Sequence, residues 1–206
     1  GGCDAATSNT ATVTVTPDPT VSITPSSSTV CVGGSVTLTA TPSGGTGTCT
    51  VQWQSSANGT SGWANISGAT NTTYNAPTSS VGTIYYRATY SCTGGGCDAA
   101  TSNTATVTVS PDPTVSITPS SSTVCLGGSA TLTATPSGGT GTCTVQWQSS
   151  SNGTSGWADI SGATNTTYNA PTSSVGTLYY RATYSCTGGG CDAATSNTAT
   201  VTVTPD

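Results

Sequence analysis

Pro17, Pro111 and Pro205 open the same phrase at a period of about 94 residues, and a fixed period of this size makes each copy one structural unit. Residues 17–110 recur as 111–204 with six substitutions: Val32/Leu126, Val36/Ala130, Ala57/Ser151, Asn65/Asp159, Ile84/Leu178 and Ser110/Thr204. All six are conservative or exchange small side chains, as copies under one packing constraint should. Residues 1–18 equal residues 189–206 letter for letter. Residues 1–16 therefore read as the closing strand of a preceding repeat, 17–110 and 111–204 as two repeats, and 205–206 as the start of a following one. The chain is expected to be a window on a longer tandem array.

Each boundary carries Pro-Asp-Pro between two runs of strict alternation. Val107 and Val109 alternate with Thr106 and Thr108, and Val115 and Ile117 with Ser116 and Thr118, the period of strands with one buried face. The prolines fix φ, remove ladder donors and hold the residues before them extended, so a short semi-rigid joint separates the strands. Within a repeat the pattern predicts strands at 20–24, 29–32, 35–41, 50–55, 83–91 and 100–109, with a less regular middle around Trp63, Ile66 and Tyr74. Gly33-Gly34 and Asn58-Gly59 mark turns. Val36, Leu38 and Ala40 face inward on one strand, and Val51 and Trp53 share a face on the next. About seven short strands per repeat, with turn signals roughly every 8–12 residues, specify an all-β fold of tandem Ig-like β-sandwich domains, Trp53 standing where such a sandwich buries a tryptophan.

Charged residues are 4% of the chain, namely Arg87, Arg181 and seven aspartates; His, Glu, Lys, Met and Phe are absent. Most side chains that move protons in catalysis are missing, so no enzyme and no cofactor is expected. Two arginines in a chain of net charge −5 exclude a nucleic-acid surface, which needs clustered Lys and Arg. Regularly placed Val, Ile, Tyr and Trp separate the chain from disordered, weakly charged segments. No apolar run approaches the ~20 residues of a membrane-spanning helix, and no secretory leader is visible at Gly1.

The runs VQWQSSANGTSGWANISGATNTTYNAP, GTIYYRATYSC and TSNTATVTV resemble the Ig-like repeats of large secreted and cell-surface proteins of Bacteroidota and related bacteria. The shared order is QWQ, W, ISGAT, TY, YYR, TVTV, and the resemblance covers both repeats almost entirely. It implies an Ig-like fold, an extracellular or cell-surface location, and a role as spacer or adhesive stalk. It implies no substrate, and places any catalytic domain elsewhere.

Nine cysteines are present, four per repeat plus Cys3, the copy of Cys97. No CxxC occurs, and together with the extracellular location that the resemblance implies this favours disulfides over a thiolate zinc site. In an Ig topology the third strand begins where the sixth ends, which places Cys49 near Cys92 or Cys97; Cys49 with Cys92, and Cys143 with Cys186, is the first choice, and each such closure adds about 4 kcal/mol by chain entropy. Three schemes stay open for the others. Cys31 joins Cys97 in a distorted sandwich, or Cys31 joins Cys191 because the bottom of one domain meets the top of the next. In the third, the closing strand of one copy completes the next copy, pairing Cys3 with Cys31 and Cys97 with Cys125.

Asn58, Asn65, Asn71, Asn152 and Asn165 head Asn-x-Ser/Thr tripeptides and are candidate glycan acceptors. Trp63, Tyr74, Tyr85 and Tyr90 are candidates for a sugar platform. Without Phe or Met, however, aromatics must build the core, and alternation puts Tyr86, Ala88 and Tyr90 on one face of strand 83–91 and Tyr85 with Arg87 on the other. Asp18, Asp98, Asp112 and Asp192 are too few for calcium and read as solvated turn residues. The Thr-x-Thr runs read as solvent faces opposite buried valines, because twisted sandwiches lack the flat array that ice binding requires. The reading is a disulfide-braced stalk or filament on or outside a bacterial cell, with further copies of the repeat as head-to-tail or strand-completing partners. The alternative is an adhesin or carbohydrate-binding module that uses exposed aromatics and the loops Gly44 to Cys49 and Thr93 to Gly96, with surface glycans as partners.

Overall fold

The structure, a computed structural model, describes residues 1–206. The first module contains β1 (Thr20–Thr24), β2 (Ser27–Cys31), β3 (Thr37–Ser43), β4 (Cys49–Ser56), β5 (Ala64–Asn65), β6 (Thr73–Asn75), β7 (Gly82–Cys92), β8 (Ala100–Thr101) and β9 (Ala105–Ser110). The second contains β10 (Thr114–Thr118), β11 (Ser121–Cys125), β12 (Ala130–Ser137), β13 (Cys143–Ser150), β14 (Ala158–Asp159), β15 (Thr167–Ala170), β16 (Gly176–Cys186), β17 (Ala194–Thr195) and β18 (Ala199–Thr204). In the first module one sheet runs β1-β3-β6 and the other β2-β9-β7-β4-β5, with β8 also on β7; the second module repeats this order. The molecule is all-β, two Ig-like sandwiches in tandem.

The nine segments of a module amount to seven strands because the first and last are each broken in two. Pro25 follows β1 through a cis bond, and beyond it the chain joins the opposite sheet, where β2 lies parallel to β9. A residue without an N–H cannot continue the β1 ladder, so the break belongs at a proline. The closing strand, expected unbroken over 100–109, is interrupted between β8 and β9. There the Asn103 side chain acts as a strand partner, its Oδ1 accepting from Ile23 N at 2.9 Å and its Nδ2 donating to Ile23 O at 3.0 Å. Ser102 Oγ accepts from Ala88 N at 2.9 Å and covers the gap in the ladder.

Alternation delivers the core. Leu38, Trp53, Ala88 and Ala105 are fully buried, and Ile23, Val36, Ala40, Tyr86 and Val107 nearly so. With no Phe available, Tyr74 stands between Trp53 and Tyr86, ring centroids 5.7 and 5.5 Å away. Offset aromatic contacts of this kind add roughly 0.5–1.5 kcal/mol beyond the area they bury. The Trp53 indole N–H donates to Asn71 O at 2.8 Å, and Gln52 Nε2 donates to the carbonyls of Trp53 and Ile66 at 2.9 and 2.8 Å, pinning the irregular middle to β4.

Residues 1–19 contain no strand, although residues 1–16 were expected to be one. Their copy at the chain's other end forms β17 and β18 by laddering onto β16. The strand-completing arrangement is not adopted, since β9 pairs with β7 and β2 of its own module.

Candidate functional site

The chemistry-bearing side chains outside the two cores are the cysteines, and they gather at the module ends. In register, β4 and β7 set Cys49 opposite Cys92, and the two are joined with Cα atoms 4.0 Å apart; Cys143 and Cys186 repeat this. Each bond lies beneath a Pro-Asp-Pro segment. Gly139 N donates to Pro111 O at 2.9 Å, and a Cβ on Gly139 would meet both Pro113 Cγ at 3.2 Å and the Cys186 sulfur. The linker is thus seated on the module that follows it.

Of the three schemes for the remaining cysteines, the structure adopts the second, Cys31 with Cys191. Cys31 ends β2 at the base of module one; Cys191 lies in the loop after β16 at the top of module two. They are bonded across 160 residues of sequence, Cα atoms 5.0 Å apart. Cys31 N also donates to Gly189 O at 2.9 Å. Glycine is required on both sides. A Cβ on Gly189, whose φ is +69°, would lie 2.7 Å from Val30 Cα, and a Cβ on Gly34 would strike the Gly189 carbonyl oxygen. Because Cys31 sits opposite Ser110 in the parallel ladder, the disulfide and the peptide linker cross the joint side by side at about the spacing of neighbouring strands, ~5 Å. Two such ties abolish free swivelling and leave bending about a single axis.

The footprint of this contact can be read by comparing identical sequences. The pentapeptide SSTVC forms both β2 and β11, yet Val30 and Cys31 are buried while Val124 is half-buried and Cys125 exposed. Gly34 is buried and Gly128 exposed. Cys3 and Cys125 are exposed free thiols and Cys97 a half-buried one.

The other candidates fall elsewhere. Asn58, Asn65, Asn71, Asn152 and Asn165 are all exposed. Asn58 Oδ1 accepts from Thr60 N and Ser61 N at 3.0 and 2.9 Å, and its Nδ2 donates to Ser61 Oγ, so that amide holds its own turn; Asn152 does the same in module two. Asn65 Oδ1 accepts from Gln54 Nε2 at 2.8 Å. Asn71 and Asn165 present their backbone carbonyls to the tryptophan indoles. The four aromatics do not form one platform. Tyr74 and Tyr90 pack against the core, the Tyr85 ring lies over Gly59, and Trp63 lies beneath the Arg87 guanidinium, 4.3 Å from ring centroid to Cζ. Arg87 Nε donates to Gln54 Oε1 at 2.7 Å. Burial, with Tyr74 beside it, pushes the Tyr86 hydroxyl up to about 12, and burial, with Tyr168 beside it, does the same to Tyr180. Asn103, Ser102, Gln52 and Gly189 are the residues sequence reasoning passed over. The repeated Thr-Ser-Asn before each closing run was the signal for the first two, hidden by a background rich in Thr and Ser.

Among solved structures, one described as the structural basis for Dscam isoform specificity shares 16% identity over 92% of this chain and 47% of its own, with a TM-score of 0.45. The N-terminal four Ig domains of Dscam1 isoform 8.4 share 18% over 93% and 48%, TM-score 0.45. The N-terminal eight Ig domains of a Down Syndrome Cell Adhesion Molecule isoform share 16% over 87% and 25%, TM-score 0.43. The chain spans half or less of the length of these structures. No curated protein matches it in sequence. The family described as "Domain of unknown function (DUF8696)" matches residues 20–111 and again 114–205, and the chain belongs to that family, as two tandem members.

Proposed function

We propose that this chain is an extracellular structural element, a segment of a stalk or filament on a bacterial surface in which Ig-like modules are welded end to end. The observation that carries the reading is the Cys31–Cys191 bond, which ties adjacent modules a second time beside their peptide linker. A disulfide between modules does little for a single domain's catalysis or recognition. It stops neighbours from swivelling and keeps them joined when one unfolds. The three disulfides suit an oxidising compartment. A surface carrying two basic residues gives basic-specific proteases little to cut. The partners of each module are then further copies of itself in heterologous contact, which propagates as an open filament when the rotation does not close.

The adhesin reading is weaker here, because the module-two copy of one of its two loops, residues 187–190, is pressed against module one at the joint and two of the four candidate aromatics serve the core. Electron microscopy of the native material tests the proposal: beaded filaments with a regular axial repeat are expected, and dispersed particles of one or two modules would refute it. A glycan array tests the alternative, which predicts binding that Trp63→Ala removes.

A further inference from the structure

We propose that the top of module one and the base of module two are the two halves of another joint, so that a second copy of this chain docks head-to-tail and is locked by a disulfide between Cys97 of one copy and Cys125 of the other. The inference rests on the stalk reading and adds to it a specific partner, a residue pair and a redox requirement.

The internal joint is the template. Its lower half is Val30, Cys31 and Gly34, which module two covers; the same surface on module two is Val124, Cys125 and Gly128, with Leu126 beside it, and it is open. Leu126, one methylene larger than Val32, is 44% exposed, an apolar contact without a partner. The upper half at the internal joint is the Gly189-Gly190-Cys191 loop. Its copy, Gly95-Gly96-Cys97, keeps the same positive φ at both glycines, +73° and +66°, against +69° and +68°. A Cβ on Gly189 would collide with Val30 as well as with Thr140 of its own module, whereas one on Gly95 would meet only Thr46 and Cys97 of its own module; one on Gly190 would meet Gly34, and one on Gly96 nothing. The loop is therefore built in its docked conformation with nothing docked against it. Cys97 lines a recess of about 560 Å³, walled by Thr46, Gly95 and Thr14 to Thr16. Residues 10–16, which have no strand partner, would yield to β18 of the incoming copy the place that β9 takes at the internal joint.

The covalent step needs an oxidant, and a small-molecule disulfide such as oxidised glutathione supplies it. The Cys97 thiolate attacks one glutathione sulfur, forming a mixed disulfide and expelling one glutathione thiolate. The Cys125 thiolate of the second copy then attacks the Cys97 sulfur and expels the other. Two protein thiols are oxidised, and one glutathione disulfide is reduced to two thiols.

The test incubates the purified chain in a glutathione redox buffer and reads it on non-reducing gels and by light scattering. A ladder of dimers, trimers and longer chains that collapses with reductant is expected. It should persist in Cys3→Ser and be lost in Cys97→Ser and in Cys125→Ser, whose circular dichroism should match the parent. A chain that stays monomeric with two reactive thiols, or a ladder that survives Cys97→Ser, overturns the proposal. Peptide mapping of the monomer separates the two levels. If Cys31–Cys191 is present without a ladder, only this joint fails; if that bond is itself missing, the stalk reading fails with it.

Discussion

Pulling the chain from Gly1 and Asp206 measures what the Cys31–Cys191 bond does mechanically. Force enters at Gly1, runs to Cys31, crosses the disulfide to Cys191 and leaves at Asp206, so residues 32–190 lie outside the loaded path. Tension can peel β1 and β2 on one side and β17 and β18 on the other. At about 3.5 Å per residue these release only about 4–5 nm each. Cys191→Ser puts both modules back in series. Each module then opens except for the segment held by its own disulfide, whose cysteines are 43 residues apart. About 48 residues become free per module, or about 17 nm less the folded length. Single-molecule force spectroscopy should therefore show no step above about 5 nm in the oxidised parent and two large, nearly equal steps in the variant. Two large steps in the oxidised parent would refute the reasoning, as would a variant with none.

Cys49→Ser should lower the stability of module one by about 4 kcal/mol, the chain entropy of the loop it opens, read as a fall in the denaturant midpoint of one of two transitions; an unchanged midpoint would mean that the bond constrains nothing. Asn103→Ala leaves the buried Ile23 N–H and C=O without partners and should cost about 2–4 kcal/mol, and Asn103→Asp should not rescue it at neutral pH, since it sets a carboxylate oxygen against the Ile23 carbonyl in place of the amide N–H. Gly34→Ala should block the joint, leaving Cys31 and Cys191 open to maleimide, whereas Gly128→Ala, at the same place in the other copy, should leave them bonded; equal labelling of the two variants would contradict the contact. Alkali should destabilise both modules. Tyr86 and Tyr180 bind their protons more tightly when folded, so their contribution is intact below pH 10 and lost as pH rises from there toward about 12. Melting temperatures that hold from pH 10 to 12 would rule this out.

Most of the module's interior could be read from local alternation, because a period of two and burial of one face are the same fact seen twice. Val36, Leu38 and Ala40, the Val51/Trp53 pair, and Tyr86 with Ala88 all turn inward as that period requires. What could not be read depends on partners distant in the chain. Asn103 closes a gap for Ile23 from 80 residues away, and its neighbours give no hint of it. Residues 10–16 and 198–204 have the same sequence, yet only the second contains a strand, since a ladder needs a neighbour as well as a pattern. Cys31 poses the same problem in a sharper form. With near-identical copies, spacing cannot tell whether its partner is the loop of its own module or of the next, and only the stacking of one module on another decides.

Chymotryptic peptide mapping under non-reducing conditions tests that stacking directly. Cleavage after Leu, Tyr and Trp leaves five cysteine-bearing peptides: 1–38, 39–53, 91–126, 133–147 and 185–206. The joint predicts two cross-linked sets, 1–38 with 185–206 and 133–147, and separately 39–53 with 91–126, the first set unchanged in Cys3→Ser. A set in which 1–38 is bound to 91–126 would mean that Cys31 closes on its own module, and the two modules would then be joined by their linker alone.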